Sequence, residues 1–271
     1  MLICPICAQP LLTEEKRALC PAGHSFDRAR QGYLNLLNDP TGKGHGDDAE
    51  MLRARRLFLE AGHYGFLAEK IAEEAVCRLP EGGVLLDAGC GEGYYTRIAY
   101  DALERAGKSP KIYAFDIAKD AVRFTATRME KKGQFFVAST FHIPMRDYSA
   151  DVILSLFSPY SEEEFLRVLR PGGILIRAVP MENHLYGLKC AVYEKPTKNV
   201  SAATIGAGFE TLVTHRLQKE IHLQKKEEIA ALFGMTPYAH KTGREDMKKL
   251  EALEEITTEL DFGVLLYRKR S

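Results

Sequence analysis

The 271-residue sequence carries no charge surplus, with 37 lysines and arginines against 37 aspartates and glutamates. Composition therefore gives no general attraction to nucleic acid, and any anionic partner has to be met by a local patch. No apolar run approaches the ~20 residues of a membrane-spanning helix, so no membrane partner is expected. The N-terminus lacks a basic segment followed by an apolar one, and no signal peptide is read there. Internal repeats and low-complexity tracts are also missing. Six cysteines in such a chain point to metal or free thiols before disulfides, and to a cytoplasmic location. At 45% apolar residues there is material for one full α/β domain and a small extra module.

What is present is organised around Val84 to Thr96, V-L-L-D-A-G-C-G-E-G-Y-Y-T. A short apolar run ending in a carboxylate reads as a buried parallel strand. The glycines Gly89, Gly91 and Gly93 follow, then a segment able to form a helix. Strand, glycine turn and helix make the first unit of a nucleotide-binding α/β domain. Glycine is needed there because the backbone turns tightly and a ligand lies against it. The pattern is D-x-G-x-G-x-G, not the dinucleotide G-x-G-x-x-G that places a pyrophosphate on a helix N-terminus. S-adenosylmethionine (SAM) has no phosphate but carries an ammonium, a carboxylate and a sulfonium. Asp87, at the strand end, suits the ammonium side, directly or through water. Lys111 to Asp116 is a second apolar strand ending in an acid, and Asp116 stands about 20 residues after the turn, as a ribose-binding acid should. The two acids in register read as a SAM site; a structural turn in another α/β enzyme is the bland alternative.

Residues 1–37 form their own unit. Cys4, Cys7, Cys20 and His24 are spaced C-x2-C-x12-C-x3-H, the pattern of a tetrahedral structural zinc site. Pro5, Pro21 and Gly23 supply the turns of two knuckles. Four protein ligands leave no open position for chemistry, and so short a module has too little core to fold well without metal. Arg28, Arg30, Phe26 and Tyr33 interleave charge with aromatic rings, a weak signal for RNA because ordinary loops share it. Residues 38–48 are rich in glycine and polar residues and read as a linker. Residues 49–271 then form the main domain. Its expected fold is a Rossmann-like, mostly parallel sheet of seven strands. Asp47 or Asp48 caps a first helix, and a second runs from about Phe66 to Leu79. The later strands are placed at 135–139, 151–156, 174–179, somewhere within 209–223, and 262–267. Helices are expected at 120–132, 161–169, 227–233 and 244–260. Phe157-Ser158-Pro159-Tyr160 lies at the C-terminal end of a strand, where ligands of such sheets sit, so Tyr160 is read either as a base-stacking residue or as a turn-packing one. Cys77, Cys90 and Cys190 lack pair spacing and are read as buried or inert.

The blocks C-P-I-C, C-P-A-G-H-S-F-D, R-Q-G-Y-L-N-L-L, G-D-D-A-E-M-L-R-A-R-R-L-F-L-E-A-G-H-Y and D-A-G-C-G-E-G-Y-Y-T together resemble the bacterial 23S ribosomal RNA (guanine-N1)-methyltransferases. That family joins an N-terminal zinc module to a class I SAM-dependent methyltransferase domain, and the resemblance covers nearly the whole chain. It implies that Cys4, Cys7, Cys20 and His24 bind zinc and help hold an RNA hairpin. It also implies that Glu92, Gly93 and Tyr94 line the SAM pocket, and that Tyr64 and His184 lie at SAM. The implied partner is a hairpin loop of 23S rRNA, as naked RNA or within a ribosomal particle. A homodimer is one option for the oligomeric state. Methylating N1 of guanine requires an unpaired or flipped base and a route for its proton. Asp147, His184 and Glu162 are the candidate acceptors near the expected cleft. Two rivals remain at this level. One is a SAM enzyme acting on a small molecule, with the zinc module as a lid. The other is a non-enzymatic RNA binder on a degenerate scaffold, against which the intact Asp87, Asp116 and glycines argue.

Overall fold

The computed structural model describes residues 1–37, 46, 48–200 and 204–270. Most of the expected linker, 38–48, lies outside the described residues. The N-terminal segment contains β1 (Leu12–Thr13), β2 (Arg17–Leu19) and β3 (Ser25–Asp27), a small antiparallel sheet. Next comes β4 (Leu34–Asn35), then α1 (Ala49–Glu60) and α2 (Gly65–Arg78). The main sheet begins with β5 (Val84–Ala88), α3 (Tyr94–Arg105), β6 (Lys111–Asp116), α4 (Lys119–Arg128) and β7 (Gln134–Val137). It continues through β8 (Ala150–Leu156), α5 (Glu162–Val168), β9 (Leu169–Pro180) and α6 (Tyr186–Val192). It ends with β10 (Phe209–Leu223), α7 (Lys226–Gly234), α8 (Arg244–Glu251) and β11 (Ile256–Lys269).

The strand order is β10-β11-β9-β8-β5-β6-β7-β4. The pairs from β9 to β4 are parallel, and β11 is antiparallel to both neighbours. This is the class I methyltransferase sheet. Residues 84–269 supply the seven expected strands, and the eighth, β4, comes from the N-terminal segment. A two-residue strand carries almost no sequence signal, so only its pairing with β7 reveals it. The order reverses between β5 and β8, and a crevice opens there at the strand C-termini.

The central strands read as continuous apolar runs because helices cover both faces. Phe135 and Phe136 are neighbours on β7, point to opposite sides and are both fully buried. Each buried phenylalanine contributes roughly 2–3 kcal/mol of apolar transfer free energy. Asp48 starts α1, its carboxylate accepting from the N–H groups of Glu50 and Met51 at 2.9 and 2.8 Å. Helix α8 stops at Glu251, short of the expected 244–260, and residues 256–260 belong to β11. The alternation of I-T-T-E-L is satisfied by pairing with β10, which runs unbroken from Ile256↔Leu223 to Leu260↔Lys219. Among the described residues no helix is long and apolar enough to cross a membrane. Cys90 is buried as expected, whereas Cys77 and Cys190 are exposed on their helices.

Candidate functional site

A cavity of about 790 Å³ lies over the C-terminal ends of β5, β6, β8 and β9. The turn after β5 forms its floor. The N–H groups of Gly89 and Cys90 both donate to the Phe115 carbonyl at 2.9 Å, tying the turn to β6. Gly89 has φ +83°, and a Cβ there would stand 2.5 Å from the Ser158 Cβ. Gly93 has φ +81° as the N-cap of α3, and its Cβ would press on Thr125 at 3.0 Å. Both positions therefore need glycine for conformation and for space.

Asp87 is 1% exposed. Its Oδ2 accepts from the Thr96 hydroxyl at 2.6 Å, while Oδ1 has no partner among the described residues. Burial, with Asp116 nearby, pushes its pKa up to about 7, against the Thr96 hydrogen bond. A buried carboxylate oxygen left open at a cavity wall suits a cationic ligand group. Asp116 is clamped by two backbone donors, Gly91 N–H to Oδ2 at 3.0 Å and Ala118 N–H to Oδ1 at 2.9 Å. Glu92 is 2% exposed and pairs through Oε2 with Arg128 at 2.9 Å, and its Oε1 is unpartnered among the described residues. Gly89, Gly91, Glu92 and Tyr94 line the cavity with both aspartates.

On the opposite wall the Tyr64 hydroxyl lies 3.3 Å from His184 Nε2. The Asp261 N–H donates to His184 Nδ1 at 3.3 Å, so the imidazole proton sits on Nε2 and points at the Tyr64 oxygen. The Tyr64 hydroxyl thereby accepts from His184 and keeps its own proton to donate. Burial lowers the His184 pKa to about 3 and raises that of Tyr64 well above the usual phenol. Both are neutral near pH 7. His184 is thus a poor proton acceptor, with one ring nitrogen facing the Asp261 N–H and the other the Tyr64 hydroxyl.

The remaining candidate acceptors lie outside the cavity. Asp147 sits on an exposed loop and pairs with Arg167 at 2.8 Å. Glu162 begins α5, where its Oε1 accepts from the Gly208 N–H at 3.0 Å. Strand-end position alone does not say which way a loop faces, and both acids face neighbouring backbone or cations instead. Tyr160 also packs away from the cavity, edge-on to Phe165 at 5.7 Å and beneath Arg177 at 4.5 Å. Ser155, Phe157, Ser158 and Pro159 do line it. Sequence reasoning missed Tyr95, Arg55 and Arg177 as lining residues. Tyr95 follows the named Tyr94 and carries a buried hydroxyl with no partner among the described residues, a fact only packing shows.

At the other end of the chain, the ligand atoms of Cys4, Cys7, Cys20 and His24 lie within 4.8 Å of one another. The Cys7–Cys20 sulfur distance is 3.7 Å, and the His24 Nδ1 lies 3.3 and 3.5 Å from the Cys20 and Cys4 sulfurs. Zinc–ligand bonds of ~2.3 Å to sulfur and ~2.0–2.1 Å to nitrogen imply tetrahedral edges of about 3.8 and 3.6 Å. The residues therefore fit a zinc ion. Gly23, at φ +87°, turns the second knuckle. The module is pinned to the sheet: Ile3 N–H donates to the Pro144 carbonyl at 3.0 Å, Arg146 N–H to that of Met1 at 3.0 Å, and β4 pairs with β7.

Comparison with known proteins agrees with this geometry. Residues 2–40 match the RlmA N-terminal zinc-ribbon family, and residues 79–248 match a methyltransferase-domain family. A protein of Micromonospora griseorubida assigned as a 23S rRNA (guanine-N1)-methyltransferase is 35% identical, over 89% of this chain and 87% of its own length. The 23S rRNA (guanine(748)-N1)-methyltransferase of Streptomyces fradiae is 31% identical, over 97% and 95% of the two chains. A solved structure described as a type II methyltransferase from Anaeromyxobacter dehalogenans shares the fold, with TM-score 0.51 and 17% identity over 74% of this chain and 95% of that one. With a zinc-ribbon geometry at one end, an acid-and-glycine cavity in a class I sheet, and relatives matching almost end to end, the chain belongs to the 23S rRNA (guanine-N1)-methyltransferase family.

Proposed function

We propose that this chain transfers a methyl group from SAM to N1 of a guanine in a hairpin loop of 23S rRNA, working in the cytoplasm on RNA or a ribosomal particle. The observation that carries the reading is the open Asp87 Oδ1, buried in the cavity of a chain whose relatives are named for this reaction. When bound, SAM supplies an activated methyl on a sulfonium leaving group. The protein's own task is to orient the reactants and exclude water. Asp87 receives the ammonium. Asp116, held by its two backbone bonds, accepts from the ribose hydroxyls, and Glu92, Gly93 and Tyr94 close that side. The Tyr64 hydroxyl, set by His184, donates to the methionyl carboxylate. The loop Phe157-Ser158-Pro159 forms the edge at which a flipped guanine enters. In this reading the zinc module, joined to the same sheet through β4, holds the RNA stem.

The test is methyl transfer from labelled SAM to large rRNA lacking the modification, mapped by primer extension. N1 methylation blocks Watson–Crick pairing, so a discrete stop at one loop guanine is the expected result. Tight SAM binding with no incorporation into RNA or particles would overturn the reading in favour of a small-molecule substrate.

A further inference from the structure

We infer that the ring of Phe157 is the face on which the flipped guanine stacks; this rests on the function proposed above and names the side chain that receives the base. Of Phe157-Ser158-Pro159-Tyr160, the first three residues line the cavity and Tyr160 does not. The aromatic ring offered to the cavity at this strand end is therefore Phe157. It is 43% exposed, whereas Phe115, Phe135 and Phe136 of the sheet are buried. Its backbone has φ +56°, a left-handed conformation that a bulky L-residue resists. Such strain persists only where the surroundings hold it, and it collects at functional sites. Both flanks are held here. The Phe157 N–H donates to the Ala178 carbonyl of β9 at 3.0 Å. The Ser158 hydroxyl donates to the Ala88 carbonyl of β5 at 2.7 Å and lies 3.1 Å from the Ser155 hydroxyl. The ring is thus carried on backbone fixed to the strand that bears Asp87.

Topology separates the base from the cofactor. Asp87 and Asp116 stand at the ends of β5 and β6, so SAM lies over those strands in this reading. Phe157 follows β8, on the other side of β5. The other exposed ring on the lining, Phe141, follows β7 and stands on the Asp116 side. The rings around Phe157 leave it free to stack. Phe262 meets it in a T-shaped contact, with centroids 5.6 Å apart at 65°, and Tyr95 is tilted at 46° with centroids 6.3 Å apart. Among the described residues no aromatic ring lies parallel to it. Stacking on an aromatic side chain uses the π face that every base has, so Phe157 sets the plane of the base and not its identity. The N1 electron pair that attacks the methyl group lies in that plane, and fixing the plane sets the line of attack.

The chain contains no tryptophan, so Phe157→Trp places a single indole at the proposed contact. Its fluorescence is titrated with an rRNA hairpin that the wild type methylates, and with the same hairpin made abasic at the target guanine. The first should quench the indole and the second should leave it near its free intensity. Beside this, Phe157→Ala, Phe157→Leu and Phe157→Tyr are compared in labelled-SAM binding, thermal melting and single-turnover methylation at subsaturating RNA. Alanine and leucine should bind SAM as the wild type does and methylate at least about fivefold more slowly, the lower end of base–aromatic stacking. Tyrosine keeps the π face and should retain the wild-type rate. Quenching that does not depend on the guanine, loss of SAM binding in the alanine variant, or unchanged methylation by alanine and leucine would overturn the inference. A tyrosine variant as slow as leucine, or failure of all four variants to fold, would make Phe157 a structural residue and overturn it equally. A wild type that binds SAM and methylates no RNA would instead sink the proposed function, and this inference with it.

Discussion

Asp87 enters the cavity as an acid whose proton is held near neutrality, with a pKa of about 7 against 3.8 for the ordinary group. A raised folded-state pKa means that the native chain binds this proton more tightly than the unfolded one. Charging the group therefore costs the unliganded protein stability as pH rises from about 4 to about 7. A ligand ammonium reverses that cost. SAM affinity should then strengthen as pH rises from 6 to 8, by up to about tenfold per unit below the pKa. In Asp87→Asn the affinity should be weaker and the dependence flat. Equilibrium dialysis with labelled SAM reads both, and a flat wild-type profile would detach Asp87 from the ligand's charged end. Tyr64→Phe deletes one donor without opening a cavity and should weaken SAM by about tenfold, or ~1.4 kcal/mol. His184, with its pKa near 3, should contribute no limb near pH 6.5 to the activity profile. The acids and glycines of this wall are visible in the sequence because the motif is continuous. Tyr64 and His184 stand 120 positions apart, and only folding brings them to 3.3 Å.

At the level of elements, the glycine turn joins β5 to α3 and is pressed against the loop after β8. Gly89→Ala would put a Cβ into the Ser158 side chain at a φ that L-residues resist. A loss of at least ~1 kcal/mol of folding stability is expected from the backbone alone. It should appear as a lower urea midpoint, accompanied by loss of SAM binding. Retention of both would mean that the turn can move away from Ser158. Helix and strand identities were mostly legible, because apolar periodicity and caps are local signals. The stretch after Glu251 was not. Its helix-compatible residues pair with the long β10, and a partner from a distant part of the chain outweighs weak local propensity.

For the whole molecule, the zinc module and the sheet share one packed region. Leu2, Leu11, Leu34 and Leu36 belong to the same buried cluster as Phe115, Phe136 and Met145. Zinc loss should therefore be felt beyond the module. Cys4→Ser is expected to lower the bound zinc from about one per chain, as structural tetrahedral sites require, and to lower the main thermal transition. Elemental analysis beside calorimetry measures the two together. A main transition indifferent to zinc would show that β4 and its contacts add nothing to the sheet. The same shared cluster joins the N-terminal residues to the sheet whose strand ends form the cavity.

The linear sequence by itself determined the nucleotide-binding unit, the Cys4, Cys7, Cys20 and His24 set that fits zinc, the α/β class and the family resemblance, since each rests on residues a few positions apart. Tertiary structure alone decided that Asp147 and Glu162 face away from the cavity and that β4 completes the sheet as its eighth strand. It also decided that Arg177 lies buried beside the loop after β8. Those facts depend on which way a side chain faces after strands distant in sequence have paired. Local spacing holds no record of that direction.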